Sequence, residues 1–195
     1  MKLNKAIFLD RDGTLNEEIG FVTSVNEVSF FPTSLKALAE FKKQGFLNII
    51  ITNQSAVARG YITENELQKL HRKFKEAIRL QTGQDLIDDI FYCPYLENAP
   101  LIKYSRSNSF LRKPNPGMII QASLIHKVRI SKSFFIGDSY RDMKSADIAG
   151  CKKILVLTGY GQQELQKCKS ENLKLNFVAR NIGEAAEFIK KCLDY

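Results

Sequence analysis

The sequence predicts an α/β fold, a doubly wound parallel sheet whose strands are separated by helices. Three observations lead there. Short apolar runs of strand length recur at residues 6–9, 47–52, 90–92, 133–137 and 154–157. Between most of them lie stretches with apolar residues at helical spacing. Three of the runs also stop abruptly in polar residues: Asp10 and Asp12, then Thr52-Asn53-Gln54-Ser55, then Asp138. Ligands of an open α/β sheet bind beyond the carboxyl ends of its strands, so these residues are candidates for a single crevice.

The first run leads into Asp10-Arg11-Asp12-Gly13-Thr14. Two acids one residue apart disfavour each other's ionisation, and a hard cation such as Mg²⁺ between them relieves the repulsion. Residues 16–32 have no clean periodicity and are expected to form a loop or short hairpin over the carboxylates, suited to a substrate lid. Thr33-Ser34 is expected to cap a helix through Leu35, Leu38 and Phe41 that stops at Gly45. After the second run, Thr63-x-x-Glu66 makes a capping box for a helix with Leu67, Leu70, Phe74 and Ile78 on one face, closed by Gly83. His71 on that helix is expected at the surface or an edge.

The third run is followed by Cys93-Pro94 and a long polar loop to Pro114. Pro116 suits the first turn of a helix over residues 118–126, and His126 at its end has no acidic or His neighbour at ligand spacing. Beyond Asp138 a helix with Met143, Ala146 and Ala149 stops at Gly150, and Asn181-x-x-Glu184 caps the last helix. Neither a linker nor an internal repeat is visible, so one domain over residues 1–195 is expected.

Composition narrows the class. Hydrophobic content of 44% with 26% charged residues is that of an ordinary globular domain. No apolar run approaches the roughly 18 residues a membrane span needs, and with residues 1–5 leading straight into the first strand no signal peptide is expected. Cys93, Cys151, Cys168 and Cys192 form no C-x-x-C pair, a pattern of the reducing cytoplasm. A net charge of +8 favours anionic partners. Between Glu97 and Asp138 no acid occurs, while Lys103, Arg106, Arg112, Lys113, Lys127, Arg129 and Lys132 all fall there: Lys127, Arg129 and Lys132 read as solvated surface, whereas Arg112-Lys113 abuts a Pro-rich turn.

Asp10-Arg11-Asp12-Gly13-Thr14 matches the D-x-D-G-T signature, and the chain resembles the haloacid dehalogenase-like (HAD) phosphatases. The resemblance implies that Asp10 attacks phosphorus to form an aspartyl phosphate. Asp12 would protonate the leaving oxygen and later deprotonate water. Mg²⁺ would be held by Asp10, the Asp12 backbone carbonyl and Asp138. Thr52 and Lys113 would stabilise the phosphoryl group. Longer motifs narrow it: F-L-D-R-D-G-T-L-N (residues 8–16), T-N-Q-S-A-V-A-R-G (52–60), Y-C-P (92–94), R-K-P-N-P-G-M (112–118) and G-D-S-Y-R-D-M (137–143). Over residues 5–159 the chain looks like the D-glycero-D-manno-heptose 1,7-bisphosphate 7-phosphatases and the related histidinol-phosphate phosphatases. That likeness implies the HAD Rossmann-like domain with minimal cap loops. It also implies a Mg²⁺-dependent 7-phosphatase of surface-glycan heptose synthesis, such as that of lipopolysaccharide. Asn53, Gln54 and Ser55 would form the substrate loop and Arg112 would recognise the substrate. A monomer acting on a small phosphorylated sugar is expected.

Two departures from the family pattern stand out. Many members hold zinc in the loop before R-K-P with a C-x-H and a C-x-C pair; here Cys93 is kept, but Tyr95, Ser109 and Leu111 replace the other ligands. One thiolate does not make a tetrahedral site, so no zinc is expected, and packing of Tyr95, Tyr104 and Phe110 should hold the loop instead. Ser139 stands where the heptose enzymes often carry Lys. Histidinol-phosphate phosphatase remains open on the catalytic motifs. Polynucleotide 3′-phosphatase is disfavoured, because no aromatic series is interleaved with the basic residues.

Overall fold

The computed structural model describes residues 3–193; Met1 and Lys2, part of the lead-in segment discussed above, lie outside the described residues. Six strands, β1 (Lys5–Leu9), β2 (Phe46–Asn53), β3 (Asp89–Cys93), β4 (Phe134–Gly137), β5 (Lys152–Val156) and β6 (Phe177–Ala179), pair in the order β3-β2-β1-β4-β5-β6. Every pairing is parallel. Successive strand side chains point to opposite faces, and in β1 Ile7 and Leu9 enter one core while Ala6 and Phe8 enter the other. A strand that is apolar on both faces needs cover on both. The helices α1 (Ser34–Lys43), α2 (Glu64–Thr82) and α6 (Ile182–Lys191) cover the first face. The second is covered by α3 (Gly117–Ile125), α4 (Tyr140–Ala149) and α5 (Gly161–Ser170). This is the doubly wound architecture expected.

β6 and α5 had no counterpart in the sequence reading. β6 is only Phe177-Val178-Ala179, too short to register as an apolar run. α5 inserts little into the core beyond Gly161 and Cys168, so it shows almost no apolar stripe. Two further expectations need correction. Thr33 precedes α1 but makes no side-chain cap bond, because its backbone is already helical (φ −94°, ψ −9°). His71 is buried, 6% exposed, with its ring edge-on to Tyr92 at 5.4 Å. It stands four residues after Leu67 and three before Phe74, on the inward face of α2. Burial and the Arg11 charge push its imidazole down to about 3, so it is neutral.

Candidate active site

The sheet order reverses between β1 and β4, since the chain winds outward in one direction from β1 and in the other from β4. That switch point opens a crevice at the strand ends. Asp10 follows β1, its N–H still donating to the Ile136 carbonyl of β4 at 3.0 Å. Asp138 follows β4. Gly13 (φ +76°) and Gly159 (φ +54°) both back onto the Asp138 carboxylate, and a Cβ at either position would collide with it. The Thr158 hydroxyl donates to the Gly13 carbonyl at 2.6 Å, tying the two loops together. Tyr160 N–H donates to Asp138 Oδ2 at 2.9 Å and fixes its rotamer.

Asp10, Asp138 and Asp142 each bring one carboxylate oxygen within 4.8 Å of the others. Burial, reinforced by the neighbouring carboxylates, pushes Asp10 up to about 7 and Asp138 up to about 8. Lys113 offsets part of this charge. Its Nζ lies 2.7 Å from Asp10 Oδ1 and 2.6 Å from Asp142 Oδ1, and it donates to the Ile51 carbonyl at 2.8 Å. Lys113 is itself buried, yet the two carboxylates hold it well above the usual lysine range. Asp142 escaped the sequence reading, although Ser139-x-x-Asp142 is legible as a capping box. Its Oδ2 accepts from the Ser139 N–H (3.1 Å) and hydroxyl (2.6 Å), leaving Oδ1 for Lys113.

Asp12 points elsewhere. Arg11, completely buried, donates Nε and Nη2 to the two Asp12 oxygens at 3.0 and 2.8 Å, and Asn16 Nδ2 and Gln54 Nε2 add bonds of 3.0 and 3.2 Å. Although burial opposes it, this set holds the carboxyl below the usual range. The Asp12 side chain is therefore outside the acidic cluster. Gln54 also donates to Thr52 Oγ1 at 2.9 Å, orienting that hydroxyl. Asn53 brackets the Lys113 backbone with two bonds of 3.1 Å, so it fixes the loop carrying the lysine. Thr52, Asn53, Gln54 and Ser55 line one cavity of about 350 Å³ with Asp10, Asp12, Lys113 and Asp138. Glu18, Phe21, Arg141 and Tyr160, which sequence alone did not single out, also line it. Glu18 and Phe21 come from the segment expected to lie over the carboxylates. Arg112 lines an adjoining cavity rather than this one, and donates to the Tyr95 carbonyl at 2.9 Å.

A D-glycero-D-manno-heptose-1,7-bisphosphate 7-phosphatase from Thermosynechococcus vestitus is 31% identical over 94% of both chains. The chain belongs to the family of these phosphatases. A D-glycero-beta-D-manno-heptose-1,7-bisphosphate 7-phosphatase from Photorhabdus laumondii is 35% identical over 95% of this chain and 97% of its own. A HAD-hydrolase-like family model matches residues 110–185. Among solved structures, the D,D-heptose 1,7-bisphosphate phosphatase of B. bronchiseptica, complexed with magnesium and phosphate, superposes with a TM-score of 0.82. It is 32% identical and the match covers 96% of this chain and 98% of that one.

The loop following β3 carries one of the two departures from the family pattern, at Tyr95, Ser109 and Leu111. The Cys93 thiol lies 4.0 Å from the Ser109 hydroxyl, Tyr95 stands two residues on, and among the described residues no group of three His, Cys, Asp or Glu side chains gathers in this loop. Arg106 stacks over the Tyr95 ring at 3.9 Å, Tyr95 packs on Tyr104 at 6.3 Å, and the Tyr104 hydroxyl donates to Glu64 at 3.0 Å. Phe110, expected to join this packing, is 58% exposed; the Arg106 guanidinium covers the Tyr95 ring.

Proposed function

We propose that this chain hydrolyses the 7-phosphate of D-glycero-D-manno-heptose 1,7-bisphosphate in the cytoplasm, for surface-glycan heptose synthesis. The observation that carries the phosphoryl-transfer part is Asp10, aimed into the cavity with Lys113 Nζ at 2.7 Å and Asp138 beside it. The relatives' names supply the sugar. Asp10 attacks phosphorus and the sugar oxygen leaves, forming an aspartyl phosphate that water then cleaves. Thr52 and Lys113 meet the developing charge on the phosphoryl oxygens. Asp12, held ionised by Arg11, already suits the base role of the second step; the first requires it to release Arg11 and carry a proton.

Asp10, Asp138 and the Asp12 backbone carbonyl would hold Mg²⁺. The raised carboxyls and the glycine cradle around Asp138 suit a divalent cation there. Bound, the ion supplies charge neutralisation between nucleophile and phosphate. Zinc has no part in this reading. Substrate contact falls to Ser55 and Arg112, with Asn53 and Gln54 holding the loop. In this reading the chain acts as a monomer on a small sugar phosphate, and a nucleic-acid partner is disfavoured.

The test is phosphate release with Mg²⁺ over heptose 1,7-bisphosphate, histidinol phosphate, other sugar phosphates and a 3′-phosphorylated oligonucleotide. The heptose bisphosphate should give the highest kcat/KM. A higher value for histidinol phosphate or for the oligonucleotide would replace the reading with that substrate.

A further inference from the structure

Two cavities meet at Lys113 and Arg141. One holds the reacting carboxylates. The other, about 260 Å³, lies between the loop before Lys113 and the start of α4, lined by Arg106, Arg112, Asn108 and Ser109. Lys113 is committed to Asp10 and Asp142, so it has nothing left for the second space. Arg141 differs: it is exposed, and the hydrogen bonds and ion pairs of its neighbours Tyr140 and Asp142 leave it out. Among the described residues its guanidinium has no hydrogen-bond or ion-pair partner.

Arg106, Arg112, Lys113 and Arg141 all line this second cavity. Burial, together with the neighbouring charges of Arg141 and Arg59, pulls the Arg112 guanidinium down. Arg112 gives one N–H to the Tyr95 carbonyl, and Glu97 is the one carboxylate lining the second cavity. Arg141 also sits in the first turn of α4, where the positive end of the helix dipole makes a cation unfavourable. Like charges gathered at a helix N-terminus around an open cavity are arranged for an anion larger than one carboxylate.

We propose that Arg141 is a specificity-determining residue that, together with Arg112, grips the second, unreacted phosphate of a bisphosphate substrate. The role rests on the bisphosphate reading above. With one phosphate at Asp10, the sugar crosses the shared mouth, and the other phosphate enters the cavity between Arg112 and α4. A guanidinium fork pairs two phosphate oxygens at once, which a lysine ammonium does not.

The experiment compares heptose 1,7-bisphosphate with heptose 7-phosphate in the Mg²⁺-loaded enzyme, using wild type, Arg141→Gln and Arg141→Lys. Loss of a charge-assisted contact should raise KM for the bisphosphate roughly tenfold to a hundredfold in Arg141→Gln, with kcat kept. The monophosphate should lose much less than the bisphosphate, and Arg141→Lys should recover part of the loss. Melting of Arg141→Gln should match or exceed wild type, because a cation is removed from a helix N-terminus. A wild-type preference for the bisphosphate that Arg141→Gln leaves intact, or an equal loss on both substrates, would overturn the role of Arg141. Equal wild-type rates on the two substrates would overturn the bisphosphate reading itself and this role with it.

Discussion

Magnesium should stabilise this protein strongly at pH 8 and barely at pH 6. In the folded chain Asp10 is raised to about 7 and Asp138 to about 8, against 3.8 for an ordinary Asp. The folded state therefore binds protons more tightly than the unfolded one. Without metal, the contribution of these groups to stability is greatest at low pH and is lost as pH rises from about 4 through 8. Metal binding has the opposite sign, because the ligating carboxylates must be deprotonated. Each pH unit below a group's pKa weakens binding by up to about tenfold. From pH 8 to pH 6, Asp10 passes from above its value to below it and Asp138 falls well below its own, so affinity should drop by about a hundredfold to a thousandfold. Ligand at 100 times its Kd adds about 2.7 kcal/mol. For a chain of this length that is a rise in Tm of roughly 5–10 °C. At a thousandfold lower affinity the same Mg²⁺ concentration should move Tm by less than about 1 °C. The assay is thermal melting with and without MgCl₂ at pH 6, 7 and 8. Asp138→Asn should raise the metal-free Tm at pH 8 by removing a buried charge, keep an acceptor for Tyr160 N–H, and abolish the Mg²⁺ shift. A Mg²⁺ shift of equal size at pH 6 and pH 8, or one retained by Asp138→Asn, would refute the reasoning.

Asp10→Asn should fold normally and lose several orders of magnitude in kcat, measured by phosphate release, since the nucleophile goes while side-chain size is kept. Gly13→Ala should weaken Mg²⁺ binding, read by the same melting shift, because its Cβ must displace the Asp138 carboxylate and its φ of +76° is strained for alanine. Purified protein should carry far less than one zinc per chain by elemental analysis, and a zinc chelator should leave Tm unchanged. Arg106→Ala should lower Tm by roughly 2–4 °C, the worth of a cation–π contact of about 1 kcal/mol.

How far the sequence reaches is clearest at the crevice. Asp10, Asp138 and Thr52 were legible because each terminates an apolar run, and a parallel sheet carries strand ends to one edge whatever the loops do. Lys113 came from its place in a motif, and its geometry depends on Asn53, sixty positions away in the chain, clamping its backbone. His71 lies on the buried face that its spacing after Leu67 marks, although its polarity alone favours the surface.

By itself, then, the sequence determined the layering of strands and helices and the chemical types gathered at the strand ends. Both follow from local rules: the period of apolar residues, and capping and turn preferences within a few positions of each terminus. Only the tertiary structure decided the partners. It turned Asp12 onto Arg11 and away from Asp138, gave Asp142 a share of Lys113, and left Arg141 without a partner among the described residues at the join of two cavities. Those outcomes depend on which loops converge at the switch point between β1 and β4. There, desolvation makes each buried charge seek the nearest opposite charge in space, and no local pattern in the chain records how near that is.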